Sequence, residues 1–286
     1  MKKVILSSIL SLAFISSSNA QEDEQVCLSQ FGQHLFENTS LESLKGKCVF
    51  ADQLGTKNFS KSEVVLKRFP ELNKLALATS EQRKICQKAW AEEIAELQNA
   101  PDFSCLKIKG PAQSGDQAAL LKHCSNDTFL SFKMVKPAGD SSCEGIQNLR
   151  RTMAVVYRME TMAFIENSET LNDLDTYSSD PRLVQALWYN AQHSDYNISY
   201  QKKTLHMLER LHATGHAPGV LVGRLRDDIA IHEEGVQYLG NNFKCSDGEA
   251  VLTPALADPE NVDTRRARYG LPPLEQQRKI QMKKCS

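Results

Sequence analysis

No Cys-x-x-Cys pair occurs in this chain, although it holds eight cysteines. That absence argues against a zinc ribbon, a thioredoxin-like dithiol and covalently attached haem. The phosphate-cradling Gly-x-x-x-x-Gly-Lys loop, Gly-x-Gly-x-x-Gly and the Gly-x-Ser-x-Gly nucleophile elbow are missing as well. His232-Glu233-Glu234 starts like the His-Glu-x-x-His of a metalloprotease helix but lacks the second histidine, so no zinc-hydrolase site follows from it. Beyond residue 20 no stretch is apolar for the roughly 20 residues that a membrane-spanning helix needs. Hydrophobic residues make up 41% and charged residues 24%, a balance in which cross-links add usefully to a modest core.

What is present begins with an address. Lys2 and Lys3 precede an apolar run over residues 4–15, and Ser18-Asn19-Ala20 places small residues around a cleavage point before Gln21. This is the pattern of a secretory signal peptide. Cleavage leaves 32 basic against 35 acidic residues, a net charge of −3, and the expected location is the periplasm or the cell exterior. With all eight cysteines (Cys27, Cys48, Cys86, Cys105, Cys124, Cys143, Cys245 and Cys285) after the leader, an oxidising compartment reads them as four disulfides. Sequence leaves about 105 pairings open; joining neighbours favours Cys27–Cys48, Cys86–Cys105, Cys124–Cys143 and Cys245–Cys285.

Six cysteines fall before residue 144, and five of the seven histidines lie between 193 and 232. The chain therefore divides into a leader (1–20), a cysteine-rich N-terminal region (21–140) and a helical region (141–286). Helical spacing of Ile85, Ala89, Trp90, Ile94 and Leu97 predicts a helix over 80–99, with Pro101 after its end. Ile146, Leu149, Met153, Val156 and Ala163 predict another over 142–167. Asp180-Pro181 starts a helix to about 193, since an acid at the cap and proline at the first position suit a helix N-terminus. Further helices are expected over 198–213 and from Ala217-Pro218 to Gly235. Only SCLKIK (104–109) and TFLSFKMV (128–135) alternate like strands. The fold class is mainly α, with a disulfide-stapled N-terminal region and one small β-hairpin within it.

Projection at about 100° per residue puts Leu221, Leu225 and Ile229 on one stripe, with His232 within it and Asp228 on its flank. Asp228 and His232, four residues apart, are the acid–base pair that this face suggests. Gln201 and His212 fall in the stripe marked by Leu205 and Leu208. Polar groups on inward faces need partners, because an unsatisfied one costs about 1–3 kcal/mol; the plainer reading is a set of core hydrogen bonds, the sharper one a ligand pocket. His193 projects away from the apolar side of its helix and reads as a solvated residue near a helix C-terminus. His212 and His216 have metal-pair spacing, but Gly215 and Pro218 break the helix around them, so no metal or cofactor is expected.

The stretch from Asp258 to Leu274 reads as helix punctuation. Asp258 is a cap, Pro259 a first helical residue, and Arg265, Arg266 and Arg268 sit at the cation-favouring end that Gly270 closes. Asp263 and Arg266 form a possible surface pair. From Arg265 to Ser286 there are seven basic residues against Glu275 alone. The tail is a surface suited to anionic envelope components, its plainer reading being a solvated helix face; nucleic-acid binding is not expected.

Several of these positions together resemble an uncharacterised bacterial domain family of unknown function. The matching residues are Trp188 with Gln192-His193-Ser194-Asp195, then Gln201, Asp227, Gln237 and Gly240, then Asp258-Pro259, Val262-Asp263, Arg265-Arg266 and Gly270-Leu271. The resemblance spans about residues 145–280 and is most specific at the closing motif. The family's Asp-Arg is Asp227-Asp228 here, and its Tyr-Gly-Thr-Gln is Leu239-Gly240-Asn241-Asn242. It implies weight for His193, Asp195, Asp227 and Gln237, and no reaction.

Two functions follow from this reading. One is an exported, disulfide-stabilised binding or interaction module with Gln201, His212 and Gln237 as ligand contacts. The other is a hydrolase acting on envelope material through His193, Asp195, Asp227, Asp228 and His232.

Overall fold

The structure, a computed structural model, describes residues 27–28, 31–32, 35–36, 74–75, 78–100, 108–136, 139 and 142–285. The expected signal peptide, Cys48, Cys105 and most of the SCLKIK stretch lie outside the described residues.

The expected helices form where their caps place them. Helix α1 (Ser80–Gln98) is entered through Thr79, whose hydroxyl accepts from the Gln82 backbone while the Gln82 side chain returns a bond to the Thr79 backbone, a reciprocal cap. Helix α2 (Gly115–Val135) leads to α3 (Ile146–Asn167). The short α4 (Leu174–Ser179) runs into α5 (Pro181–Gln192), capped by Asp180, which accepts from the Arg182 backbone, with Pro181 at the first position. Asn197 caps α6 (Ile198–Ala213), and α7 (Gly219–Glu234) ends on Gly235 in the left-handed conformation at φ 70°.

Helix α2 replaces an expected strand. TFLSFKMV lies in its second half, and the hairpin is instead β1 (Phe243–Ser246) against β2 (Glu249–Leu252), antiparallel, with Lys244 facing Val251. Asp247 and Gly248 form its two-residue turn with φ 52° and 79°, the left-handed pair that lets a tight turn follow the twist of the strands. Helix α8 (Val262–Ala267) starts at Asn261 and not at Asp258. Gly270 closes this region at φ 63°, before α9 (Leu274–Cys285).

Two buried apolar clusters hold the helices. In one, Trp90, Ile94 and Leu97 of α1 pack with Ile146, Leu149 and Met153 of α3. In the other, Leu120 of α2 meets Leu183, Val184 and Leu187 of α5, Leu208 and Leu211 of α6, and Leu221, Val222 and Leu225 of α7. Helix α3 is buried from Thr152 to Ala163 without a break.

The cysteine pairing departs from the neighbour rule. Cys86 bonds Cys143, across 57 residues, which rules out Cys86–Cys105 and Cys124–Cys143. Packing explains it, since α1 and the start of α3 lie side by side and bring those two Cα atoms to 5.1 Å. Cys245–Cys285 forms as expected. Cys27 and Cys124 are also disulfide-bonded, and the expected Cys27–Cys48 pair falls outside the described residues. No described helix is long and apolar enough to cross a membrane.

Candidate functional site

Three polar assemblies contain most of the candidate residues, and the first surrounds Asp227. Its side chain is fully buried. One oxygen accepts the backbone N–H groups of Tyr238 and Leu239, both at 2.8 Å, and the other accepts the Asn241 backbone at 2.9 Å and its side-chain amide at 3.0 Å. Burial pushes the carboxyl upward, against the pull of these donors. Gln237, also fully buried, donates to the carbonyls of Asn242 (2.9 Å) and Pro254 (2.7 Å) and accepts the Asn242 N–H at 2.7 Å.

The arginines of the closing motif complete this assembly. Arg266 is 1% exposed, not a surface cation; it donates to the carbonyls of Pro272 at 2.6 Å and of Leu239, and burial lowers its pKa. Arg265 donates to the Tyr238 carbonyl at 2.8 Å and to the Asp258 carboxylate at 2.8 Å. Asp263 accepts the Leu274 N–H at 2.7 Å and so ties the start of α9 rather than pairing with Arg266. Residues 237–242, outside regular secondary structure apart from one bridge residue, are thus held by α7 from one side and α8 from the other.

The second assembly centres on a residue that the sequence did not single out. Asp127 of α2, 4% exposed, accepts Arg158 Nε at 2.7 Å on one oxygen and faces His193 Nδ1 at 3.3 Å with the other. Arg158 also donates to Ser131 Oγ at 3.0 Å. Because an ionised carboxylate only accepts, His193 carries its proton on Nδ1, which leaves Nε2 as the basic nitrogen. The imidazole stands edge-on to Tyr189 with ring centroids 4.2 Å apart. Its side chain is 26% exposed, half-buried on α2 and not simply solvated. Beside this chain, His123 is buried with Nδ1 3.0 Å from the Tyr157 hydroxyl and 3.1 Å from that of Thr161. Burial lowers its pKa to about 4 against the opposing field of Asp127.

The third assembly is Asp228. One of its oxygens accepts the Asn242 side-chain amide at 3.3 Å, and the other is buried with no hydrogen-bond partner. Burial raises its pKa to about 6, the Asn242 bond pulls it back, and the adjacent Asp227 charge adds to the rise; Arg224 and His193 oppose it.

The remaining candidates lie apart. His232 is exposed and makes no bond to Asp228, so the expected acid–base pair does not form; α7 runs past its neighbours in its last turn, and its inward stripe ends with them. Asp195 is exposed in the α5–α6 turn. Gln201 donates to the Ala191 carbonyl at 2.9 Å, and its own oxygen is buried without a partner. His212 places Nδ1 2.9 Å from the Ala217 carbonyl and stacks on Tyr269, closing the α6–α7 turn. His193, Asp227, Gln237 and His232 therefore do not share one cleft. Among the described residues no group of three His, Cys, Asp or Glu side chains is set to hold a metal ion. A groove of about 460 Å³ lies elsewhere, between α1 and α3, where Glu93 pairs with Arg150.

The chain matches no protein-family model, no curated protein and no solved structure.

Proposed function

We propose that this chain is exported and acts as a disulfide-stabilised binding or interaction module. The observation that carries the reading is the immobilised segment 237–242, in which Asp227, Gln237, Arg265 and Arg266 satisfy the backbone from both sides. A segment fixed without regular structure presents its outer groups in one arrangement, which lowers the ordering cost of recognition. The residues behind it are also those that carry the resemblance to the bacterial domain of unknown function, a relation that stays part of this proposal. Export is supported by the leader pattern and by the two cross-links Cys86–Cys143 and Cys245–Cys285, which persist in an oxidising compartment.

The test is cell fractionation of the full chain, followed by cross-linked capture from an envelope extract by the oxidised protein. Recovery in the envelope fraction, and a captured species lost in Tyr238→Ala, whose hydroxyl lies at the surface on Glu234, with little change in melting, is the expected result. Retention in the cytosol with reduced cysteines would overturn it. A second reading, a hydrolase on envelope material, draws on the half-buried Asp127–His193 pair. It predicts turnover of an envelope polymer that His193→Gln abolishes, with no stable captured species.

A further inference from the structure

Asp228 is the one described carboxylate that the fold treats badly. Its neighbour Asp227 has four donors, whereas Asp228 has a single amide at 3.3 Å and one buried oxygen with nothing to accept from. A buried carboxylate in that state is costly, and a neutral acid is not. The groups that face it are few. On α7 itself they are Asp227, and Arg224 one turn back; from α5 it is His193, whose ring is held by Asp127 and Arg158; from the segment after α7 it is the neutral Asn242. Helix α6 packs along α7, but its Lys202 and Glu209 are engaged by Glu233 and Arg226. No cation is bonded to Asp228 where it lies. Arg224 is exposed, four residues before it and hence on the same helix face.

We propose that the Asp228 side chain is a proton-operated gate: as the neutral acid it stays under Asn242, and as the carboxylate it turns outward to Arg224. The sign follows from linkage. The inward form binds the proton more tightly than a solvated aspartate does, its pKa being about 6 against 3.8, so raising the pH favours any form in which the carboxyl reaches water. A difference of that size shifts the outward-to-inward ratio by up to about a hundredfold between pH 4 and pH 8. The consequence is local. Asp227 and Gln237 keep the backbone of 237–242 in place, while Asn242 loses its side-chain acceptor and a carboxylate appears at the surface beside Arg224. The gate sets, by pH, whether this surface presents Arg224 alone or Arg224 paired with a carboxylate.

The test is nuclear magnetic resonance of the full oxidised chain, with aspartate carboxyl carbons and asparagine amides labelled, from pH 4 to pH 8. The Asp228 carboxyl should titrate with a midpoint of about 5 to 6, and the Asn242 side-chain amide should shift over the same range. Asp228→Asn should abolish the Asn242 response. Arg224→Gln, a surface change that leaves folding intact, should raise the Asp228 midpoint by weakening the outward form. An Asp228 midpoint below about 4.5, or an Asn242 amide that stays constant across the range, would overturn the proposal.

Discussion

Asp227 and Asp228 are adjacent on α7 and have opposite environments, which makes them the sharpest test of single-residue energetics here. Asp228→Asn keeps the shape and the Asn242 contact while removing a charge that burial disfavours. A raised folded-state pKa makes the group's contribution most favourable at low pH and progressively less so as pH rises through about 6. The variant should therefore gain stability at pH 7.5, on the order of 1 kcal/mol because the outward form relieves part of the strain, and gain nothing at pH 4. Urea denaturation at the two pH values measures both. Asp227→Ala should do the reverse, leaving three backbone N–H groups and an amide without their acceptor. A loss of roughly 3 kcal/mol or more is expected, read as a lower urea midpoint and as faster hydrogen exchange at Tyr238, Leu239 and Asn241.

At the scale of elements, α9 and the start of α7 are held by very different means. Helix α9 has no buried residue; it is fixed by Cys245–Cys285, by Arg278 donating to the Ala250 carbonyl at 3.2 Å, and by Asp263 at its first residue. Replacing Cys245 and Cys285 by serine should leave the helices of the core cold to hydrogen exchange while α9 exchanges at least ten times faster, because so little apolar area holds it. Gly219 opens α7 directly under the Tyr269 carbonyl, where an added Cβ would stand 1.8 Å from that oxygen. Gly219→Ala must push the two segments apart, and a loss of about 1–3 kcal/mol is expected, visible as a lower melting temperature. Helices α1, α5, α6 and α7 were legible because each carries a one-sided apolar stripe or a strong cap, and α3 because Ile146, Leu149, Met153, Val156 and Ala163 recur at helical spacing although its middle is buried all round. Helix α2 was not, for a physical reason: residues 123–127 are all buried, yet His123, Ser125, Asn126 and Asp127 among them are polar, so no apolar stripe marks the buried face. Taken as a helix, it would have put Leu120, Cys124 and Asp127 on one face and so pointed to Asp127. The hairpin carries a readable local signal as well, the Asp247-Gly248 turn, flanked by strands of only four residues each.

Across the whole molecule, local signals and long-range partners divide cleanly. Punctuation by Asp180-Pro181, Gly235 and Gly270 acts within a turn of chain, so the sequence by itself determined that the protein is mainly helical and where most of its helices begin and end. Local rules did not mark Asp227 or Gln237, which drew weight only from the resemblance, and they read Arg265-Arg266 as the cationic end of a helix. What each of them does was decided only by the tertiary structure. Arg266 is a surface cation by local rules and a buried clamp in the fold, because Leu239 and Pro272 bring their carbonyls to it from either side. Cys86 reaches Cys143 and not Cys105 because α1 lies along α3. His193 meets Asp127 across 66 positions, and Asp228 is left with a bare buried oxygen because its neighbours offer one amide and no charge in contact. Hydrogen bonds and charges act over a few ångströms of space, and only packing determines which distant residues come within that range.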